Sequence, residues 1–316
     1  MASTTPPRTP FQPRICIIGP GRVGCTLARH HQRSGLAPTL VGRNGGPWQQ
    51  WAANAGIDHT CGSAELLNQS LGTNFDIILF CVSDPQIAPA LKAHGPWLQQ
   101  IFQQNPSVLV AHTSGHVGLQ VFEGLNLAHQ QAVAALHPAQ PFTNPDGPLP
   151  KDIPVTAMLN GDSSSAKALV ESWQGRWIEL PSQVDRDGYH LAVSLAANHV
   201  TEMLARSEQL LRQALGDQSS TSDEDIRHIV HHLSRTAVDA YATRGGEQAL
   251  TGPVVRGDLA ILQAHYAKVP ASMRQLQLHE WMAVCELAER SGRLPAASAE
   301  QIRKWLRKEL SSAAKA

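Results

Sequence analysis

The sequence has no excess of charge of either sign and no long apolar segment. Lys and Arg together number 26 of the 316 residues, as do Asp and Glu, so the formal net charge is zero. Without a basic stripe, neither nucleic acid nor an anionic membrane is an expected partner. No apolar run approaches the roughly 18–20 residues of a membrane-spanning helix. The N-terminus lacks the apolar core of a signal peptide, so we expect a flexible tail over residues 1–13 and a cytoplasmic protein.

The sequence also lacks paired cysteines, because its five cysteines form no C-x-x-C motif. Reduced thiols of a cytosolic protein are the simplest interpretation. Fifteen histidines are present, and His228, His231 and His232 share one helical segment, at spacings that place two of them on one face. Metal binding is one interpretation of this segment, but no Glu or Cys completes a site. A solvated helix surface is favoured, and no metal is expected.

The most informative feature is a glycine-rich turn near the N-terminus. The apolar run Ile15-Cys16-Ile17-Ile18 indicates a strand, and the next six residues are Gly19, Pro20, Gly21, Arg22, Val23 and Gly24. A helical segment follows, which is the context that a G-x-G-x-x-G motif needs to indicate a dinucleotide site. There the first glycine makes a tight turn, the second lets the backbone approach a pyrophosphate, and the third lets the helix pack on the strand. The alternative is a tight turn that binds no ligand.

The residues after the second predicted strand indicate which dinucleotide is bound. NAD sites usually carry an acidic residue about 20 positions after the glycines, whereas an arginine there accommodates the 2′-phosphate of NADP. This chain has Arg43 and Asn44 at the strand end, and its first acidic residue after the glycines is Asp58, too far along. Arg43 offers a fork of donors to a phosphate, and Arg22 adds positive charge. NADP is therefore the predicted cofactor, with a solvated loop arginine as the alternative for Arg43.

The pattern of the sequence changes near residue 184. Before it, short apolar runs alternate with helical stretches, which is typical of a mostly parallel sheet with helices on both faces. After it, the 3.6-residue period of helices takes over, and residues 189–215 are predicted as one long helix. We predict an α/β fold class, with a Rossmann-type NADP-binding domain over residues 14–184 and an all-helical domain over residues 185–316.

Polar residues concentrate in short segments, three of them after predicted strands. The segments are Val82-Ser83-Asp84-Pro85, His112-Thr113-Ser114-Gly115, His137-Pro138-Ala139-Gln140-Pro141-Phe142 and 250–258. Open α/β sheets bind ligands at the carboxyl ends of their strands. We therefore expect Val82, Ser83 and Asp84 to contact the cofactor. Ser114 has neither a G-x-S-x-G context nor an evident Asp–His relay, which makes a hydrolase unlikely.

A polar row follows on the long predicted helix. His190, Ser194 and Asn198 are spaced by four residues and so share one helix face, which either lines a cleft or is solvated. His190 or His137 is a candidate general acid, because histidine alone has an ordinary pKa near neutrality.

Taken together, the motifs resemble a known family. In chain order they are Gly19–Gly24, His112–Gly115, His137–Phe142, Asn198 and the segment 250–258. Over roughly residues 14–290 the chain resembles Rossmann-like proteins that carry a DUF2520 domain. That family is similar to NADP oxidoreductases of the coenzyme-F420-dependent type, to pyrroline-5-carboxylate reductase and to ketopantoate reductase. The resemblance implies an NADP-binding domain and a helical domain similar to the C-terminal domain of 6-phosphogluconate dehydrogenase, and it brings no proven substrate.

The resemblance implies hydride transfer between NADP(H) and a small carbonyl or imine held at the domain junction. His190 is the expected proton donor, and Asn198, Ser114 and Arg256 are expected to orient the substrate. The chain departs from its relatives at Arg186, where they often have a lysine, and an arginine that stays protonated is a poor general acid. A non-catalytic NADP-binding sensor or scaffold is the alternative function, since a fold does not fix a function.

The resemblance also implies a homodimer built by the C-terminal helices. Trp281, Met282, Val284 and Leu287 form an apolar stripe, and Met and Trp are enriched in interface cores. The alternative is that this stripe forms the core of its own domain.

Overall fold

The computed structural model describes residues 12–62, 69, 71–125, 131–216 and 220–313. Most of the expected tail, residues 1–11, lies outside this part of the chain. The chain forms two compact units, Met1–Ala197 and Asn198–Ala316. The first unit therefore includes the segment 185–197, which the sequence pattern groups with the second domain.

Within the described residues, the first unit contains one eight-stranded sheet. Its strands are β1 (Ile15–Ile18), β2 (Thr39–Gly42), β3 (Asp58–Cys61), β4 (Ile77–Phe80), β5 (Leu109–His112), β6 (Ala132–Pro138), β7 (Ile153–Asn160) and β8 (Gly175–Glu179). They lie in the order β3-β2-β1-β4-β5-β6-β7-β8, and neighbours are parallel except for the antiparallel pair β6 and β7. The first six positions have the strand order of dinucleotide-binding sheets, and the predicted fold class is confirmed.

Strand β3 is the element that the apolar pattern does not predict. Its sequence is Asp58-His59-Thr60-Cys61, and none of these residues is fully buried. The strand lies at the edge of the sheet and pairs only with β2. An edge strand covered on fewer sides does not need the continuous apolar run that marks a central parallel strand.

Helices cover both faces of the sheet, as predicted. They are α1 (Arg22–Arg33), α2 (Pro47–Ala55), α3 (Asp84–Gln104) and α4 (Ser164–Ser172). The unit also has a 3-10 turn at Leu119–Phe122 and, after β8, helix α5 (Arg186–Ser194), in which no residue is fully buried. Ile15 and Ile17 pack with Leu27 of α1 in one core, while Cys16 and Ile18 belong to a second core with α3. This alternation places the strand side chains on opposite faces and makes every central strand apolar on both.

The second unit is helical. A π-helical turn, Leu195–His199, joins α5 to α6 (Val200–Leu215), so residues 189–215 are helical throughout, as predicted, with a π-helical turn inside the helix. The remaining helices are α7 (Asp223–Ala249), which is kinked at the non-helical residue Gly245, α8 (Leu259–Tyr266), α9 (Arg274–Arg290) and α10 (Ala296–Ala313). The core of the unit joins α8, α9 and α10 through Leu262, Leu278, Cys285, Ile302 and Leu306.

Among the helices that the structure describes, none has the length and apolar character needed to cross a membrane. All five cysteines are free thiols.

Candidate functional site

The glycine turn between β1 and α1 has a shape that depends on its glycines. Gly19 has a φ of +110°, and a Cβ there would lie 2.7 Å from the backbone of Cys81. A Cβ on Gly24 would lie 2.1 Å from the carbonyl oxygen of Gly19, so a glycine is needed for α1 to pack this close to the turn. A Cβ on Gly21 would meet the Cys81 oxygen at 3.9 Å, an ordinary contact. Gly21 is thus required for neither packing nor conformation, and the space beside it is open.

Among the described residues, no side chain caps the N-terminus of α1. Gly21 is the N-cap residue, no acidic residue lies in the first turn, and the exposed Arg22 begins the helix. Backbone N–H groups at the start of a helix have no partner within the helix, and the helix dipole favours negative charge there. This arrangement fits a pyrophosphate.

Arg43 and Asn44 follow β2 at the same carboxyl edge of the sheet, and both are exposed. Asp58 lies at the opposite edge, because it begins β3 and pairs in register with Thr39 at the start of β2. Its carboxylate accepts a hydrogen bond from the Thr39 hydroxyl at 3.2 Å. Asp58 is therefore placed away from a nucleotide at the carboxyl edge, and the residues after β2 fit a 2′-phosphate.

The segment after β4 adjoins the glycine turn. Cγ1 of Val82 would lie 2.8 Å from a Cβ on Gly19, so Val82 packs directly on the turn. Ser83 is the exposed N-cap residue of α3, and Asp84 lies in the first turn of that helix. The charge of Asp84 also acts on His137 of β6: burial lowers the pKa of that histidine to about 4, and Asp84 opposes this shift. The three predicted cofactor contacts thus lie at the predicted edge.

The loop after β5 is held by hydrogen bonds within itself. Ser114 is buried, and its Oγ accepts hydrogen bonds from the backbone N–H of His116 (3.0 Å) and of Val117 (2.8 Å). The Ser114 N–H in turn lies 3.2 Å from Nδ1 of His112, and Nε2 of that ring lies 3.4 Å from the Gly118 carbonyl oxygen. With its oxygen already accepting two bonds, the Ser114 hydroxyl can act toward a substrate only as a donor.

Arg186, at the start of α5, holds the same loop. Its guanidinium donates to the carbonyl oxygens of Ser114 at 2.8 Å, of Val117 at 3.0 Å and of His116 at 3.3 Å. Burial lowers the pKa of Arg186, with the ring of Tyr189 and the charge of Asp84 opposing that shift. The side chain therefore acts as a cationic clamp between α5 and the β5 loop, which agrees with the expectation that it is no general acid.

The hydroxyl of Tyr189, a residue that the sequence analysis did not select, lies at the centre of a polar cluster with His137 and Thr156, next to Arg186. The Tyr189 hydroxyl lies 2.8 Å from Nδ1 of His137 and 2.8 Å from Oγ1 of Thr156. His137 is the penultimate residue of β6 and is in register with Thr156 on β7, so the antiparallel pairing of these strands brings the two partners together. No residue spacing in the sequence reveals that pairing.

His190 is half-buried and lies beside the cluster. Its ring centroid is 5.8 Å from that of His116, whose Nδ1 lies 3.0 Å from the carboxylate of Asp187. The predicted residues Ser114 and His190 therefore lie in one unit with Arg186 and near one another.

Asn198 and Arg256 belong to the second unit. Asn198 is exposed in the π-helical turn, a feature that often occurs at functional sites. Arg256 is exposed in the turn before α8. Their predicted participation in the site stays a prediction. Over the described residues no group of three or more His, Cys, Asp and Glu side chains could hold a metal ion.

Residues 154–283 match the family model described as a domain of unknown function, DUF2520. No curated protein matches the sequence. One solved structure of similar fold is a candidate NADP oxidoreductase from Bacteroides fragilis, with 18% identity, a TM-score of 0.66 and coverage of 86% of this chain and 98% of that chain.

Two further solved structures have a similar fold at 13% identity and a TM-score of 0.55. Pyrroline carboxylate reductase from Plasmodium falciparum, with NADP bound, covers 93% of this chain and 99% of its own. An NADH-preferring ketol-acid reductoisomerase from an uncultured archaeon covers 96% of this chain and 86% of its own. Likeness at such identities concerns the fold. The DUF2520 model covers residues 154–283, so that match concerns this part of the chain.

Proposed function

We propose that the protein is an NADP-dependent oxidoreductase that transfers a hydride between the cofactor and a small carbonyl or imine. The observation that carries this proposal is the open, uncapped start of α1 at Gly21, on the same sheet edge as the polar cluster of Ser114, His137 and Tyr189. Ligands of open α/β sheets bind at this edge. The nicotinamide supplies the hydride chemistry, and the protein supplies position and charge.

The proteins of similar fold support this assignment. They include reductases with NADP bound, such as the pyrroline carboxylate reductase and an imine reductase from Myxococcus stipitatus. The ketol-acid reductoisomerase of similar fold prefers NADH, so the fold alone does not select the cofactor. The proposal of NADP in preference to NAD rests on Arg43 and Asn44 after β2. The free thiols fit a reducing compartment, and we propose a cytoplasmic location.

We expect the protein to bind NADPH more tightly than NADH, and Arg43→Ala to remove that preference. Losing a charge-assisted pair to the 2′-phosphate costs on the order of 1.5–3 kcal/mol, or about 10- to 100-fold in affinity. NADH affinity should stay the same, because NADH has no 2′-phosphate. Titrating both cofactors against wild type, Arg43→Ala and the exposed helix variant Arg307→Ala measures this. Equal affinities in wild type, or an unchanged preference in Arg43→Ala, would contradict it.

A panel of small ketones, imines and hydroxy acids, followed by NADPH absorbance, tests the reaction itself. Turnover with any of them supports a reductase. Tight NADPH binding without turnover would favour the second candidate function, a sensor or scaffold, which the fold also permits.

We also propose that two copies associate through α7. Trp281, Met282 and Val284 of the predicted stripe pack on the core of their own unit, which is the alternative that the sequence left open. Helix α7 is different: of its 27 residues, only Ile226 and Val230 are buried, while Leu233 is 66% exposed and Tyr241 64%. A long helix with large apolar side chains in water is typical of an interface.

Light scattering at micromolar concentration should therefore give about twice the 34.2 kDa of one chain. Leu233→Glu should shift the mass to that of a monomer, because a charge in a buried interface core is costly. A wild-type mass of a single chain, with or without NADPH, would remove the proposal.

A further inference from the structure

The Tyr189 hydroxyl has an unusual environment among the tyrosines of this chain. The sequence contains three tyrosines. Tyr241 is exposed on α7, and Tyr266 packs against Trp281 and Trp305 in the second unit. The Tyr189 oxygen instead lies 2.8 Å from two polar atoms on neighbouring strands, Nδ1 of His137 and Oγ1 of Thr156. Both of these groups can donate a hydrogen bond to it.

His137 is held as a neutral ring. Burial, with the charges of Arg186 and His190 acting in the same direction, lowers its pKa to about 4. At neutral pH one ring nitrogen therefore carries a proton and the other does not. A Cβ on Gly115 would lie 3.0–3.1 Å from three ring atoms, so the glycine backbone packs directly on the imidazole and fixes its position.

Arg186 adds positive charge beside the phenol ring. The centre of its guanidinium lies 5.4 Å from the ring centroid of Tyr189, while its N–H groups donate to backbone carbonyl oxygens of the β5 loop. Because those donors are occupied, Arg186 stabilises negative charge on Tyr189 by its electrostatic field and not by a hydrogen bond to the phenol oxygen. His190, by contrast, adjoins His116, a ring that is itself paired with Asp187.

We propose that Tyr189, and not His190, is the proton donor of the reaction, with Thr156 and His137 as positioning residues. This inference rests on the proposed function. In the reducing direction, a bound nicotinamide would supply the hydride for the carbon of the C=O or C=N bond. The O–H bond of Tyr189 breaks, and its proton passes to the substrate oxygen or nitrogen. The phenolate left behind accepts hydrogen bonds from the Thr156 hydroxyl and from the Nδ1–H of His137, and a proton from water restores the hydroxyl.

The arrangement requires one tautomer of His137. If Nδ1 carries the proton, it donates to the Tyr189 oxygen, and the tyrosine proton is free to point at a substrate. If Nε2 carries it instead, the tyrosine hydroxyl donates to Nδ1 and points away from a substrate. Nitrogen-15 NMR of the cofactor-free protein distinguishes the two states. We expect the Nδ1–H tautomer in wild type and a shift toward Nε2–H in Tyr189→Phe. An Nε2–H tautomer in wild type would overturn the proposal.

The kinetic test compares Tyr189→Phe with Tyr266→Phe, the same substitution at a tyrosine that packs on the core of the second unit. Positioned general acids contribute about 100-fold or more, so kcat of Tyr189→Phe should fall by at least about that factor, with NADPH affinity within twofold of wild type. Tyr266→Phe should match wild type in kcat. Thr156→Val should lower kcat about tenfold, and Thr156→Ser, which keeps the hydroxyl, should restore most of the loss.

Two outcomes separate failure of this inference from failure of the proposed function. If wild type turns a substrate over and Tyr189→Phe keeps more than a third of its kcat, the donor role is overturned and the oxidoreductase stands. A larger loss of kcat in His190→Asn than in Tyr189→Phe would also overturn the donor role of Tyr189. If wild type binds NADPH and reduces nothing in the panel, the proposed function fails and the donor role with it.

Discussion

Replacing Gly24 by alanine is expected to destabilise the first unit and to weaken NADPH binding at least tenfold. The added Cβ would lie 2.1 Å from the carbonyl oxygen of Gly19, more than 1 Å inside an ordinary contact, and its neighbour is backbone with no freedom to rotate away. Overpacking of this kind costs about 1–3 kcal/mol or more. Helix α1 must move away from β1, which displaces the N–H groups at its start. Urea unfolding and NADPH titration measure the two effects.

Gly21→Ala should separate cofactor binding from folding. Its Cβ has one ordinary contact at 3.9 Å, and Gly21 has φ −79° and ψ −175°, which alanine adopts without strain. Unfolding free energy should therefore change by less than about 0.5 kcal/mol. A methyl group there would nonetheless occupy the space in which a pyrophosphate approaches the backbone, so NADPH affinity should fall at least tenfold.

The control is Gly124→Ala, in the exposed turn after Leu119–Phe122. A Cβ at that glycine meets nothing within 4 Å, and its φ lies outside the left-handed region. This variant should bind NADPH as wild type does, and its unfolding free energy should change by less than about 0.5 kcal/mol. Full NADPH affinity in Gly21→Ala would argue that the glycine turn is structural and binds no dinucleotide.

The parts of the fold that depend on local pattern could be predicted from the sequence. The run Ile15–Ile18 is buried on both faces, and the glycine turn follows it as the motif indicates. Ser222 and Asp225 form a capping box at the start of α7, an arrangement that depends only on their three-residue spacing. In each of these cases, residues close together in the chain determine the structure, so spacing alone carries the information.

The hydroxyl at the centre of the candidate site could not be predicted in this way. Tyr189 is 33 positions from Thr156 and 52 from His137, and the three meet because β7 runs antiparallel to β6. Strand direction depends on how the loop between them packs, and no local period encodes it. The polar row His190, Ser194 and Asn198 was easier to see, because it follows one helix face, yet a π-helical turn interrupts that face at Leu195–His199.

Arg186 shows how a departure from a family pattern acquires a physical meaning. Its side chain donates hydrogen bonds to three backbone carbonyl oxygens of the β5 loop, a task that suits the forked guanidinium better than the compact ammonium of lysine. The sequence showed that a lysine-type proton donor is missing. The structure shows that this position links α5 to the β5 loop, beside the tyrosine that we propose as the proton donor.

Lowering the pH from 7 to about 4 is expected to unfold the first unit, because buried histidines are held neutral there. His31 and His112 are fully buried. Burial lowers the pKa of His31 to about 3, with the charge of His30 acting in the same direction, and lowers that of His112 to about 4. Each ring is ordinarily protonated below a pKa of 6.5, so the unfolded chain takes up protons that the folded chain refuses. The stability that these two rings contribute by staying neutral is fully present above pH 6.5 and is lost as the pH falls toward 4.

The size of this effect follows from the two shifts. One pKa unit corresponds to about 1.4 kcal/mol, so each ring contributes on the order of 3 kcal/mol of lost stability at pH 4. Two rings together approach the roughly 5–15 kcal/mol by which a native protein is stable. His31 is the better group for a test, since its Nε2 accepts a hydrogen bond from Trp173 Nε1 at 3.0 Å, and its Nδ1 has no partner among the residues that the structure describes.

His31→Gln keeps an oxygen that can accept the Trp173 bond and removes the titrating ring. Urea unfolding at several pH values between 7 and 4 should therefore show a shallower loss of stability in this variant than in wild type. Trp173→Phe is the matched control: it deletes the same hydrogen bond but keeps His31, so it should be less stable at every pH while the slope stays steep. Equal slopes in wild type and His31→Gln would mean that the buried ring takes up its proton without unfolding the chain, and that the acid sensitivity of this fold has another origin.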